Sequence, residues 1–247
     1  MNIRLIFLAT TLSISSLHAA DMVNIKGGSY RPLYLKKNTP LIPVKAFSLD
    51  KTAVTNAEFA QFIKQNPQWQ RGKVSTRHAE SKYLTHWLKQ GSDYTYKPAD
   101  ANKPVVNVSW FAAHAYCTSQ GKRLPTIDEW EYAGLASETQ ANGTSEEGYN
   151  RRILDWYASG QQSLRSVGKD KPNFWGVHDM HGMIWEWTED YNSSLLSAGS
   201  ANSSLFCGSG SSNSTDPSNY AAFMRYGIRT SLQAPFVLSN LGFRCAK

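Results

Sequence analysis

Residues 175–187, WGVHDMHGMIWEW, constrain the fold more than any other stretch of this 247-residue chain. Three tryptophans demand burial, and Gly176 and Gly182 interrupt any regular period, so the segment reads as a tight turn set against a core. The same thirteen residues carry two carboxylates (Asp179 and Glu186), two histidines (His178 and His181) and two methionines (Met180 and Met183). Three chemistries suit that set. Calcium takes carboxylate and backbone carbonyl oxygens from a flexible loop. Copper prefers imidazole and thioether. A core turn needs no metal, and its carboxylates then bond nearby amides.

The rest of the chain surrounds this turn with little periodicity. Alternation predicts strands over residues 22–30 and 42–49. Apolar spacing predicts a helix over 57–63, capped by Thr55 or Asn56. Residues 65–104 are polar and aromatic, with one short helix expected around 81–88, and 105–108 read as a strand. Ser109 caps a helix through Cys117 that Gly121 stops. Thr126 and Glu129 have the spacing of a capping box, opening a helix over 129–135. Residues 136–150 read as a polar loop. Beyond residue 160, Gly, Ser, Asn and aromatics predict turns, and 220–226 read as a strand-like stretch. The class is α+β, with much irregular backbone that a disulfide or a bound cation would help to fix.

Residues 1–20 have the form of an export signal: Arg4, an apolar run over 5–14, then Ala19-Ala20. That run is too short to span a bilayer, so no stable membrane insertion is expected. One domain is expected over 21–247, outside the cytoplasm and in the periplasm. The charge of +7 comes without a Lys/Arg run, which points to a dispersed basic surface rather than to nucleic acid. Of the three cysteines, Cys117, Cys207 and Cys245, two can pair in an oxidising compartment, in three possible ways.

Five motifs, PVVNVSW, AYC, GKRLPT with EWEYA, HDMHGMIWEW and NLGFRCA, occur in an order that resembles the formylglycine-generating enzyme (sulfatase-modifying factor) family. The resemblance covers nearly all of 21–247 and implies a C-type-lectin-like α+β fold. It also implies a Cys117–Cys245 disulfide, while a second bridge of the family falls on Gly134 and Tyr226 and is lost. It implies calcium held by the Asp179 and Glu186 side chains and the Gly182 and Ile184 carbonyls, and a cleft lined by Trp185.

The catalytic pair does not carry over. Family enzymes hold Cu(I) between two cysteines five residues apart, and an ungapped count back from NLGFRC puts those positions at Asp216 and Ala221. Neither is a soft ligand. Attention moves to Cys207, in FCGSG beside the expected cleft, with Met224, His181 or Met183 as companion copper ligands, and to Arg225 and Arg229, which would bind an anion or pair with Asp216. The pattern looks most like a non-sulfatase branch that includes accessory proteins encoded beside copper nitrite reductases. The readings that follow are a maturation factor for a copper or redox enzyme, an oxidoreductase with an altered metal site acting on a peptide or siderophore, and a lectin-like binding module.

Overall fold

The computed structural model describes residues 21–33, 38–158, 163–192 and 217–247. Cys207 and Asp216 lie outside these residues. In chain order the elements are β1 (Met22–Ile25), β2 (Gly28–Tyr30), β3 (Ile42–Val44), β4 (Phe47–Asp50), α1 (Asn56–Gln65), β5 (Leu88–Gln90), β6 (Asp93–Thr95), α2 (Trp110–Ser119), α3 (Ile127–Gly134), α4 (Tyr149–Ala158), β7 (Trp185–Glu186), α5 (Pro217–Ser231) and β8 (Leu241–Gly242). No helix among the described residues is long and apolar enough to cross a membrane.

The two N-terminal strands expected from alternation are four short ones. β1 pairs antiparallel with β4 and β2 with β3. The chain bends at Gly27 because a Cβ there would lie 2.8 Å from the Ala46 amide nitrogen. Far ends of the sequence then close on each other. β7 runs parallel to β8, Asp50 donates its N–H to the Cys245 carbonyl (2.9 Å), and Ser48 and Lys247 exchange backbone hydrogen bonds. Gly242 is fixed by this closure: a Cβ would stand 2.4 Å from the Val105 carbonyl oxygen. A disulfide joins Cys117 on α2 to Cys245 across 128 residues.

The largest buried rings, Trp87, Trp187, Phe59, Tyr83 and Phe243, fill the main core. Phe243 meets Tyr116 edge-on at 5.3 Å, and the polar edges of Trp187, Trp87 and Tyr83 donate to the Val108 carbonyl (2.9 Å), Asn56 Oδ1 (2.8 Å) and the Trp69 carbonyl (3.0 Å). A second cluster around Ile25, Leu49, Trp130 and Val177 seats the 175–187 turn beneath the N-terminal strands.

Three helix starts follow from the sequence. Thr55 and Glu58 form a capping box, Thr126 and Glu129 another, and Ser109 accepts from the Ala112 N–H. Removing the Thr126 hydroxyl (Thr126→Ala) is expected to cost about 1 kcal/mol. That is roughly 2–4 °C in the thermal midpoint of a domain this size, with Thr126→Ser unchanged.

Four expectations need correction. Residues 81–86 form turns and Leu88 already opens β5, because Leu84 adopts φ 48°, a left-handed conformation that ends any helix. Residues 105–108 form no strand: Asn107 takes φ 53°, and Val105 donates to Val54 while Asn107 donates to Leu238, two unrelated partners. Helix α4 begins inside the expected 136–150 loop. Residues 220–226 belong to the fifteen-residue helix α5, not to a strand. Its buried positions, Ala221, Ala222, Arg225 and Arg229, recur at helical spacing, and two of them are arginines, which hides the stripe from a hydrophobic reading.

Candidate functional site

Helix α3 places a carboxylate on its buried face. Ile127, Trp130, Glu131 and Gly134 share one side at i, i+3, i+4 and i+7, and Glu131 is only 4% exposed. An ionised group at such a position needs a partner. It receives two. Arg225 donates Nε to Glu131 Oε1 (2.9 Å) and Nη2 to Oε2 (2.7 Å), and Arg229 donates Nη1 to Oε1 (2.5 Å). Both guanidinium groups also lie over the Trp130 ring, at 5.5 and 4.8 Å from its centroid. Glu131 is thus a partner of both arginines that the sequence did not suggest, while the expected pairing with Asp216 falls outside the described residues.

Trp130 links this cluster to the 175–187 turn. Its indole N–H donates to Glu186 Oε2 (2.7 Å), and the same carboxylate accepts Arg244 Nε on Oε2 and Nη2 on Oε1, both at 2.8 Å. Among the described residues, three buried arginines thus meet these two buried glutamates. Burial alone would raise the Glu131 carboxyl, but Arg225 and Arg229 outweigh it and bring the pKa down to about 2.

Trp185 and Arg225, two of the residues singled out from the sequence, line one small cavity with Trp130, Trp156, Met180 and Arg229. Its volume of about 10 Å³ admits no more than one water. Trp156 of α4 meets Trp185 edge-on at 6.1 Å and also borders a wider cleft of about 260 Å³. Tyr149, Met180 and His181 line that cleft, with Arg152 and Lys171 at its polar edge.

His181 hydrogen-bonds through Nε2 to the Gly134 carbonyl (2.8 Å). Burial first, and then Arg225, lower its pKa to about 4. The ring is neutral near pH 7, so Nε2 carries the hydrogen and donates it. His86 is likewise lowered to about 4, chiefly by burial. Both rings take up a proton less readily folded than unfolded. Their contribution to stability is complete above pH 6.5 and is lost as pH falls from 6.5 toward 4. A series of unfolding curves from pH 7 to 4 should show that decline, and His181→Asn should flatten part of it. A wild-type curve flat across this window would contradict the assignment.

The calcium expectation meets carboxylates that are already engaged. Glu186 is held by Arg244 and Trp130. Asp179 accepts from the Gly168 N–H (2.6 Å) and from Arg165 (3.3 Å), and the Gly182 carbonyl also accepts from Arg165 (3.2 Å). Ile184 packs its side chain against Ala53, Val106 and Met183. Two carboxylates that each carry a guanidinium do not fit a calcium ion as arranged. For copper, His181 has Nε2 on Gly134 while its buried Nδ1 has no hydrogen-bond partner among the described residues, and Met183 sits in that apolar cluster. Among the described residues no group of three or more His, Cys, Asp or Glu is placed to hold a metal.

Ala221, where the family count places a copper cysteine, is 4% exposed and packs with Tyr149 and Ile153 in the contact between α5 and α4. Glu131, Trp130, Arg244 and Arg165 were not singled out as site residues. The available signal was a carboxylate on the apolar face of α3, inside EWEYA.

The fold and these motifs agree with comparison to known proteins. The sulfatase-modifying factor enzyme 1-like domain matches residues 10–247. The chain is 28% identical to an inactive C-alpha-formylglycine-generating enzyme 2 of Bos taurus, over 95% of this chain and 90% of that protein. It is 30% identical to a formylglycine-generating enzyme of Streptomyces coelicolor, over 83% of this chain and 79% of that one. The crystal structure of CarF superposes with a TM-score of 0.53 at 18% identity, covering 93% of this chain and 98% of that one, a likeness of fold. With a family match spanning nearly its whole length, this chain belongs to the formylglycine-generating enzyme, or sulfatase-modifying factor, family.

Proposed function

We propose that this chain is a non-oxidising member of its family that works outside the cytoplasm, binding a protein or peptide as an accessory factor in the maturation of a copper or redox enzyme. The observation that carries the reading is Ala221. The position counted to a copper-binding cysteine holds a methyl group packed between two helices, with no sulfur to offer a metal. The likeness to a relative named as inactive points the same way. Export rests on the leader-like residues 1–20, and the choice of a copper or redox partner rests on the motif resemblance. The aromatic cleft bordered by Trp156, with Arg152, Lys171, Glu138 and Asp170 giving it charges of both signs, suits a side chain of a bound polypeptide.

The test is genetic and biochemical together. Deleting the gene in its host should lower the activity or metal content of an exported redox enzyme while leaving sulfatase activity unchanged. Wild-type protein should restore it and Trp156→Ala should not. A drop in sulfatase activity, with the redox enzyme untouched, would sink the proposal. Cys117 and Cys245 are bonded to each other, so Cys207 is the one cysteine outside that bridge. Cys207→Ser in the same complementation separates the readings: retained function supports the accessory role, and complete loss favours an altered metal site.

A further inference from the structure

Arg165 occupies an unusual place in the turn that resembles a calcium loop. Its Nη1 donates to the Gly182 carbonyl (3.2 Å) and its Nη2 to Asp179 Oδ1 (3.3 Å), which are two of the four oxygen donors that the family resemblance assigns to calcium. The same Nη2 also holds Asp170 Oδ2. Two carboxylates and one backbone carbonyl thus converge on a single planar cation. A guanidinium can do this because its fork presents several donors in fixed directions.

The Asp179 and Gly182 oxygens are positioned independently of Arg165. Asp179 is anchored through Oδ2 by the Gly168 N–H at 2.6 Å. The Asp170 backbone carbonyl is in hydrogen-bond contact with His178 Nδ1 at 2.8 Å. Asp179 and Gly182 take positive φ values of 56° and 97°, so the turn between them is set by its own backbone. The Asp179 side chain is 1% exposed and its charge requires compensation, whereas the Arg165 side chain is 32% exposed and reaches the site from the solvent side.

We infer that Arg165 is the resident cation of this turn, standing where a calcium ion would otherwise sit, and that Asp170, Asp179 and the Gly182 carbonyl form a latent calcium site which the guanidinium keeps closed. The folded protein then needs no calcium. Losing Arg165 would leave hard oxygen donors open to a cation that tolerates irregular geometry and completes its shell with water, which calcium does and magnesium does not.

Thermal melts of the full chain in EDTA, in millimolar calcium and in millimolar magnesium test this. Wild type should give one midpoint in all three. Arg165→Met should melt roughly 5 °C lower in EDTA, recover most of that loss in calcium, and not recover in magnesium. Adding Asp170→Asn to Arg165→Met should abolish the calcium response. A wild-type midpoint that rises with calcium or falls with EDTA would overturn the inference, as would an Arg165→Met protein indifferent to calcium. If Arg165→Met fails to fold, Arg165→Lys serves: a lysine keeps the charge but cannot bridge all three oxygens. It should melt between wild type and the EDTA-treated state of a destabilised chain, with a small calcium gain. Its absence would count equally against the inference.

Discussion

Glu131→Gln is expected to destabilise the protein by about 3–5 kcal/mol, because it removes a buried carboxylate that Arg225 and Arg229 share and takes its countercharge from two buried guanidinium groups. Against a total stability of roughly 5–15 kcal/mol, that is enough to leave much of the chain unfolded at growth temperature. Denaturant titration measures it. Adding Arg229→Met to Glu131→Gln should recover part of the loss, since one unpaired charge is then gone and a thioether packs where the guanidinium lay over Trp130. If the double variant is less stable than Glu131→Gln alone, charge is not what the carboxylate compensates. Acid should reproduce the substitution. The Glu131 carboxyl is lowered from 4.5 to about 2, so its contribution is present above pH 4.5 and is lost as pH falls from 4.5 toward 2, a lower window than that of His86 and His181.

Loss of the Cys117–Cys245 bridge is the other large effect. Closing a loop of 128 residues is worth about 5 kcal/mol in the chain-entropy picture, or roughly 10–20 °C in the midpoint. The bridge also pins the C-terminal end of the chain. Cys245 donates its N–H to Asp50 Oδ2 (3.0 Å), and Asp50 holds Lys122 at 2.6 Å. Cys117→Ser with Cys245→Ser should therefore lower the midpoint by that amount and expose residues 241–247 to protease first. A reduced protein that melts with the oxidised one would contradict the assignment.

What the sequence disclosed depended on where the controlling interactions were local. The Thr126–Glu129 box and the Thr55 cap are set within four residues, so spacing alone revealed them. The left-handed Leu84 is set by contacts from distant chain, among them its N–H to the Asn107 carbonyl, and no local pattern announces it. Helix α5 is harder still. Its inward stripe includes Arg225 and Arg229, whose burial makes sense only once Glu131, 94 and 98 residues earlier, is known to meet them. The same holds for the turn. The family resemblance makes Asp179 and Glu186 metal ligands, and Arg165 and Arg244 become their partners only through the fold. The motifs identified the family, while the charge partners that distinguish this turn came from long-range contacts.

The central claim is that the chain keeps the family frame without its cysteine-pair oxidation chemistry. The most direct measurement incubates the purified, folded protein with Cu(I), oxygen and a reductant, together with a peptide carrying the sulfatase cysteine motif, and follows the peptide by mass spectrometry and hydrazide labelling. The account predicts no aldehyde above a protein-free control. Aldehyde formed over several turnovers per protein molecule, and abolished by Cys207→Ser, would contradict it.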